Sequence, residues 1–318
     1  MKIYTHYNKN SRMTLFKGDC VDLLKEIPDE SVDLIVTSPP YCMKKAYENP
    51  KDDIQTFKEL HNKIFSELYR VLKKGGSICW QTGYHVSNSN VIPLDYLVYE
   101  IFTSQNEQLP DPLILRNRII WTFGHGLNST QRFSGRHETI LWFTKGENYN
   151  FDLDSVRVPQ KYPGKRYYKG EHKGELSGNP LGKNPSDVWD IPNVKANHIE
   201  KTAHPCQFPS ALPQRLIRAL TNKDGVVLDP FMGSGTSALV ALLDERKFIG
   251  SELKDEYYDI TLDRIRKAMR GEVNIREDIP VIEPDLNTAV AKLPEEFREA
   301  RKTNEKSYIK EKTSSFNT

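Results

Sequence analysis

Two short strings in this 318-residue chain combine residue types that could handle a ligand. The first, Asp229-Pro230-Phe231-Met232-Gly233-Ser234-Gly235-Thr236, directly follows the apolar run Val226-Val227-Leu228. Glycines at a strand-to-helix turn let a ligand approach the backbone closely. The string is neither GxGxxG nor GxxxxGK[ST], and no lysine follows its second glycine, so a nucleotide phosphate is not the expected guest. An uncharged or cationic ligand fits better. Further on, Phe248-Ile249-Gly250 runs into Ser251-Glu252 and places a carboxylate at the carboxyl end of the neighbouring strand, where acids hold ribose hydroxyls. Together these residues describe a pocket for an adenosine-containing cofactor. The second string, Thr37-Ser38-Pro39-Pro40-Tyr41, ends the apolar run Val32 to Val36. Its two prolines set the backbone direction and remove two N–H donors, so the carbonyls of Ser38 and Pro39 are presented rigidly. A Ser hydroxyl, a fixed carbonyl and the flat ring of Tyr41 suit a planar base gripped by its exocyclic amino group.

Both strings need elements that carry them to one place. Met13-Thr14-Leu15-Phe16, the amphipathic stretch Val21 to Ile27 and the run Val32 to Val36 read as strand, helix, strand. Apolar residues at helical spacing predict a helix from Asp52 to Leu72, ended by Gly75-Gly76, with a strand beginning at Ser77-Ile78-Cys79-Trp80. A helix over Pro93 to Phe102 and strands over Arg118 to Phe123 and Glu138 to Thr144 follow. After an irregular stretch come a helix near Ser210 to Thr221, strand Val226 to Asp229, helix Thr236 to Leu243, strand Phe248 to Gly250 and helix Lys254 to Met269. Such alternation predicts an α/β fold, a doubly wound, mostly parallel sheet covered on both faces. The irregular stretch, residues 157 to 183, carries seven Lys or Arg against two acids, with tyrosines between them. We therefore read one catalytic domain over residues 1–270 with an insertion at 150–190, and a charged extension over 271–318 that could form a peripheral helix and a disordered tail.

Composition narrows the class. The chain has 45 Lys+Arg against 43 Asp+Glu and 37% apolar residues, as in a globular protein. No run approaches the roughly 20 apolar residues that cross a bilayer, and the stretch MKIYTHYNKNSR is polar where a signal peptide would be apolar. Cys20, Cys42, Cys79 and Cys206 form no CxxC and no metal-ligand spacing, so they read as reduced thiols of a cytoplasmic protein without a metal site. The net charge of +2 excludes little, because a nucleic-acid enzyme needs only a local basic face.

Taken together, the strings resemble the beta group of DNA amino-methyltransferases, in which the base-binding tetrapeptide precedes the cofactor glycine loop. Ser38-Pro39-Pro40-Tyr41 precedes Asp229 to Thr236 here. Gly18-Asp19, Tyr69 to Gly76, Arg136-His137-Glu138, Asp187-Val188-Trp189, His204-Pro205, Gln207-Phe208-Pro209 and Phe248 to Leu253 match in order and spacing, covering most of residues 14 to 270. The resemblance implies the S-adenosylmethionine-dependent methyltransferase fold, S-adenosyl-L-methionine as cofactor and double-stranded DNA as partner. It implies that Asp19 lies near the cofactor's adenine, that His204 to Pro209, including Phe208 and Pro209, packs against the cofactor, and that Asp19, Asp229 and Glu252 suit its positive sulfonium. It also makes the basic insertion the target-recognition region, with Arg157, Lys161, Lys165, Arg166, Tyr167, Tyr168, Lys169 and Lys173 as candidate DNA contacts. A restriction-modification setting, with a cognate restriction endonuclease acting separately, follows from the same likeness.

Its implied chemistry is direct transfer of a methyl group to the exocyclic amino nitrogen of a base swung out of the duplex, held by Ser38, Pro39, Pro40 and Tyr41. Ser at the first motif position resembles the cytosine-N4 subgroup more than the adenine-N6 one, so cytosine is expected and adenine is the alternative. An inactive DNA-binding protein on the same fold is the alternative of another class, and an RNA or small-molecule methyltransferase a third. Pro205-Cys206-Gln207 spells the string that carries the nucleophilic cysteine of ring-carbon methyltransferases, but there it follows the cofactor loop, whereas Cys206 precedes it. Covalent cysteine chemistry is therefore not expected.

Overall fold

The computed structural model describes residues 1–41, 53–273 other than 88, 105, 125, 127, 196 and 197, and residues 275, 276, 292–295, 297–300 and 302. Cys42 and most of the expected extension after residue 276 lie outside the described residues. In chain order the regular elements are β1 (Met13–Lys17), α1 (Cys20–Glu26), β2 (Val32–Thr37), α2 (Ile54–Val71), β3 (Leu72–Thr82), β4 (Tyr84–Ser87), β5 (Asn90–Pro93), α3 (Leu94–Thr103), β6 (Leu113–Thr122), β7 (His137–Lys145), β8 (Val188–Asp190), α4 (Ala211–Leu220), β9 (Val226–Asp229), α5 (Thr236–Leu243), β10 (Lys247–Glu252) and α6 (Asp255–Met269).

Eight strands form one sheet in the order β1-β10-β9-β2-β3-β7-β6-β8. Every neighbouring pair is parallel except those of β7, which is antiparallel to both β3 and β6. The unbroken apolar runs of β2 and β9 follow from this position, since a central parallel strand is buried on both faces. Leu34, Ile35, Val227 and Leu228 have no measurable exposure. Helix α2 lays Phe57, Ile64, Phe65 and Leu68 on the sheet, where they join Trp80, Phe102 and Phe143 in one core. The chain divides into two compact units, one of Met1–Asp152 with Asp187–Asp278 and a second that contains Leu153–Ser186. The eight-stranded sheet belongs to the first.

One local expectation needs correction. Gly75-Gly76 does not end α2: the helix stops at Val71, Leu72 is already extended, and β3 runs through both glycines. The register jumps from Val32–Leu72 to Leu34–Ser77, so Lys73 to Gly76 are absorbed in a bulge. Gly75 sits there at φ +74°, and any Cβ would collide with the backbone carbonyl of Asn148. What finishes α2 is Lys145, whose buried ammonium donates to the carbonyl oxygens of Tyr69 (3.0 Å) and Leu72 (2.8 Å). The hairpin β4–β5 and the short strand β8, which extends the sheet beside β6, were not apparent in the periodicity.

Candidate active site

The carboxyl ends of β1, β10, β9, β2, β3 and β6 open on one side of the sheet, and there lies a cavity of about 460 Å³, within the first unit. Because β7 runs the other way, its beginning, with Glu138, reaches the same side. Both candidate strings meet in this cavity. Ser38, Pro39, Pro40 and Tyr41 line it, as do Pro230, Phe231, Gly233, Ser234 and Thr236 of the glycine loop. Glu252 at the end of β10, Asp19 at the start of α1 and Phe208 complete the expected lining.

The loop is held from behind. Asp229 does not face the cavity, which corrects its expected place beside a cationic centre: it is 1% exposed and accepts hydrogen bonds from Thr37 Oγ1 (2.5 Å), Ser237 Oγ (2.6 Å) and the Phe231 N–H (3.1 Å). Burial pushes its carboxyl up to about 6, and the donors from Ser237, Thr37 and Phe231 pull in the opposite direction. Its bond to Thr37 ties the residue before Ser38 to the glycine loop, so one carboxylate sets both halves of the site. Gly235 does not line the cavity either; at φ +72° it makes the turn into α5, where a Cβ would collide with Thr261 of α6. Pro209 lies just outside the cavity at the start of α4.

Two residues of α6, Thr261 and Arg264, clasp the loop without any signal in the motif. Thr261 Oγ1 donates to the Gly233 carbonyl at 2.8 Å, and the buried Arg264 guanidinium donates to the Ser234 carbonyl at 2.6 Å and Thr236 Oγ1 at 3.1 Å. Glu252 accepts from the N–H groups of Gly233 (3.0 Å) and Lys254 (2.8 Å), which orient its carboxylate; burial raises its pKa. Asp19 accepts from the Val21 N–H at 2.9 Å as the N-cap of α1. His204, in the segment expected beside the cofactor, stacks edge-on against Tyr257 at 4.3 Å, and burial lowers its pKa to about 4, so it is neutral at physiological pH.

On the other side of the cavity, Tyr41 Oη lies 3.1 Å from Ser38 Oγ and 3.4 Å from both the Gln81 carbonyl and Glu138 Oε2. The Gln81 amide donates to the same Glu138 oxygen. Gln81 and Glu138 are therefore parts of the site that the motifs did not reveal. Glu138 stood within a recognised string without a role, and Gln81 in none; only the antiparallel pairing of β3 with β7 brings the two together.

The three described free cysteines separate by environment. Cys20 and Cys79 are buried, and burial pushes the Cys20 thiol up to about 12, whereas Cys206 is exposed and lines the cavity. Among the described residues no group of three His, Cys, Asp or Glu side chains is placed to hold a metal ion, and no helix is long and apolar enough to cross a membrane. In the unit that contains Leu153–Ser186, Lys161, Lys165, Arg166, Tyr167, Tyr168, Lys169 and Lys173 are exposed, Tyr168 at 90%. Arg157 is turned inward instead, bonded to Asp154 Oδ1 (2.6 Å) and the Gly182 carbonyl (3.1 Å), and Arg166 donates to the Gly174 carbonyl at 2.8 Å.

An open, mostly parallel sheet with one reversed strand and a ligand-sized cavity over its carboxyl ends is the architecture of the S-adenosylmethionine-dependent methyltransferases. A solved structure described as PvuII DNA methyltransferase (cytosine-N4-specific) shares it, with a TM-score of 0.62 at 24% identity, covering 79% of this chain and 85% of that one. The family model for DNA methylases of the N6/N4 type matches residues 32–263, and the chain belongs to that family. It is 47% identical to the type II methyltransferase M.BglII of Bacillus subtilis over 86% of this chain and 72% of that protein. It is also 32% identical to the DNA adenine methyltransferase YhdJ of Escherichia coli (strain K12), over 88% of this chain and 96% of the relative.

Proposed function

We propose that the protein is a site-specific DNA methyltransferase that uses S-adenosyl-L-methionine to methylate the exocyclic amino nitrogen, N4, of cytosine in duplex DNA, as the modification half of a restriction-modification system. The observation that carries this reading is the convergence of Ser38 to Tyr41 with the glycine loop on one cavity, tied by the Thr37–Asp229 bond. The cavity suits the cofactor: Asp19 and Glu252 offer oriented carboxylates, and the Gly233 to Thr236 turn offers backbone at close range. When bound, the cofactor supplies an electrophilic methyl group on a positive sulfur.

An aromatic amino nitrogen is a poor nucleophile because its lone pair is delocalised into the ring. Ser38 Oγ and the Pro39 carbonyl accept hydrogen bonds from that amino group and favour a more tetrahedral nitrogen whose lone pair points away from them. The ring of Tyr41 holds the base flat, and fixed orientation supplies the rest. Extrusion of the target base from the duplex is the general route by which methyltransferases reach it. The exposed Lys161, Lys165, Arg166, Lys169 and Lys173 meet phosphates, with Tyr167 and Tyr168 among them. The inward-turned Arg157 serves the framework of the insertion.

The choice of cytosine rests on Ser38 as the first motif residue, since a single hydroxyl there is the feature of the cytosine-directed subgroup. The adenine-N6 reading keeps every other assignment, and the likeness to an adenine methyltransferase favours it. Incubation with unmethylated DNA and labelled S-adenosylmethionine, digestion to nucleosides and mass spectrometry decide between them. Label on cytosine N4 is the expected result, label on adenine N6 moves only the base assignment, and binding of the cofactor without label makes the protein an inactive DNA binder.

A further inference from the structure

The amino group that accepts a methyl must also lose a proton, and neither a serine hydroxyl nor a proline carbonyl can keep one. The site contains a chain of polar atoms that leads away from Ser38. Tyr41 has a single hydroxyl proton, and Glu138 Oε2 and the Gln81 carbonyl stand within its reach as acceptors, both at 3.4 Å. Either hydroxyl can donate in the 3.1 Å contact between Ser38 and Tyr41, and Ser38 is the donor when the Tyr41 proton points to Glu138 or the Gln81 carbonyl. In that arrangement Ser38 Oγ, which lines the cavity, keeps its lone pairs to accept from a substrate amino group. With the Tyr41 proton on Glu138, the donations run in one direction, toward a carboxylate.

We propose that Ser38, Tyr41 and Glu138 form a proton relay, with the Glu138 carboxylate as the terminal acceptor of the proton released by the methylated amino nitrogen. This inference rests on the methyl-transfer reading given above. As the nitrogen lone pair bonds to the methyl carbon, the carbon–sulfur bond breaks and its electron pair stays on sulfur. The nitrogen becomes positive, and its N–H is then acidic. That proton passes to Ser38 Oγ, the Ser38 hydroxyl proton to Tyr41 Oη and the Tyr41 proton to Glu138 Oε2, leaving a neutral amine and a protonated carboxyl that returns its proton to water. Gln81, which donates to the same carboxylate oxygen, is a positioning residue that holds Glu138 toward Tyr41. Proton transfer to a placed group of this kind contributes on the order of a hundredfold or more to a rate.

Glu138→Gln keeps shape and hydrogen-bonding capacity but cannot take the proton. In single-turnover assays with saturating S-adenosylmethionine and DNA, Glu138→Gln and Tyr41→Phe are each expected to slow amino methylation by about tenfold or more. Dissociation constants for cofactor and for DNA, and the thermal midpoint, should stay near those of the unaltered protein. Glu138→Asp, which restores the carboxylate, should recover part of the rate, and the double variant should be no slower than the slower single one, because both substitutions cut one chain. A rate within about twofold of normal in Glu138→Gln overturns the relay while normal amino methylation by the unaltered enzyme leaves the function standing. Equal losses in Glu138→Gln and Glu138→Asp, tracking weakened DNA or cofactor binding, also overturn it. Absence of methylated amino nitrogen with the unaltered enzyme takes down both readings together.

Discussion

At the scale of single residues, Asp229 and Cys206 are the clearest cases of a side chain whose meaning depends on where it points. Asp229 belongs to the glycine motif, yet its carboxylate is spent on Thr37, Ser237 and Phe231 and sets the loop from within the core. Cys206 looks like a nucleophile by its neighbours in sequence and does line the cavity, but methyl transfer to an amino nitrogen needs no thiolate. Cys206→Ala should keep at least about half of the methylation rate, and near-complete loss with cofactor binding intact would show covalent chemistry instead. His61 matters through its charge. Its ring is fully buried; Nδ1 faces the Phe57 carbonyl at 2.7 Å and Nε2 accepts from the Trp80 indole at 3.1 Å, so the neutral form is the one that fits. Burial lowers its pKa to about 4 from the ordinary 6.5. The unfolded chain therefore takes up a proton that the folded one refuses, and stability present above pH 6.5 is lost as the pH falls toward 4, by about 3 kcal/mol for this group. Asp229 acts in the opposite sense: its raised carboxyl favours the folded state at low pH, and that advantage is lost as the pH rises from 3.8 to about 6. Urea unfolding at several pH values should give a flatter acid limb for His61→Leu than for the unaltered protein. The variant should be less stable at pH 7, because Trp80 loses its acceptor; an unchanged acid limb would assign the slope elsewhere.

At the scale of elements, the strands and helices were legible wherever burial imposes one period. The apolar runs of β2 and β9 and the helical spacing in α2 report their own surroundings, because a central parallel strand has no polar face and a covering helix has one apolar face. What could not be read is set by partners far along the chain. Gly75-Gly76 resembles a helix stop, but the stop is supplied by Lys145 from β7, which no local signal near residue 72 announces. Gln81 and Glu138 become neighbours only through the register of β3 against β7, so no spacing within either strand reveals them. Lys145→Met should thus cost about 2 to 4 kcal/mol in chemical unfolding, since it leaves two carbonyls at the end of α2 without their donor. A loss below about 0.5 kcal/mol would mean that water replaces the ammonium there.

At the scale of the whole molecule, the motifs were legible because each sits at a strand end, where fold and chemistry constrain the same residues. The insertion was legible only as a composition. Its structure sorts the basic residues: Arg157 bonds inward, whereas Lys161, Lys165, Lys169 and Lys173 are exposed. Counterion release gives these lysines a measurable signature. Changing all four to Gln should weaken DNA binding and lower the slope of log K against log salt by about 0.9 for each phosphate no longer neutralised, while cofactor affinity stays constant. An unaltered slope would remove these four from the DNA interface.

The tie between Thr37 and Asp229 has a consequence in time. Strands β2 and β9 are sheet neighbours, but the ribosome makes them with most of the chain in between. At roughly 5 to 20 residues per second, β2 waits on the order of ten seconds or more with one hydrogen-bonding edge bare. During that wait Leu34 and Ile35 lack the partner that covers them, a state in which strands recruit one another between molecules. No length of nascent chain short of β9 can hold cofactor and base together. Both halves of the site therefore become available together, once β9 has been made, and protection of β2 until then falls to whatever shields nascent edges.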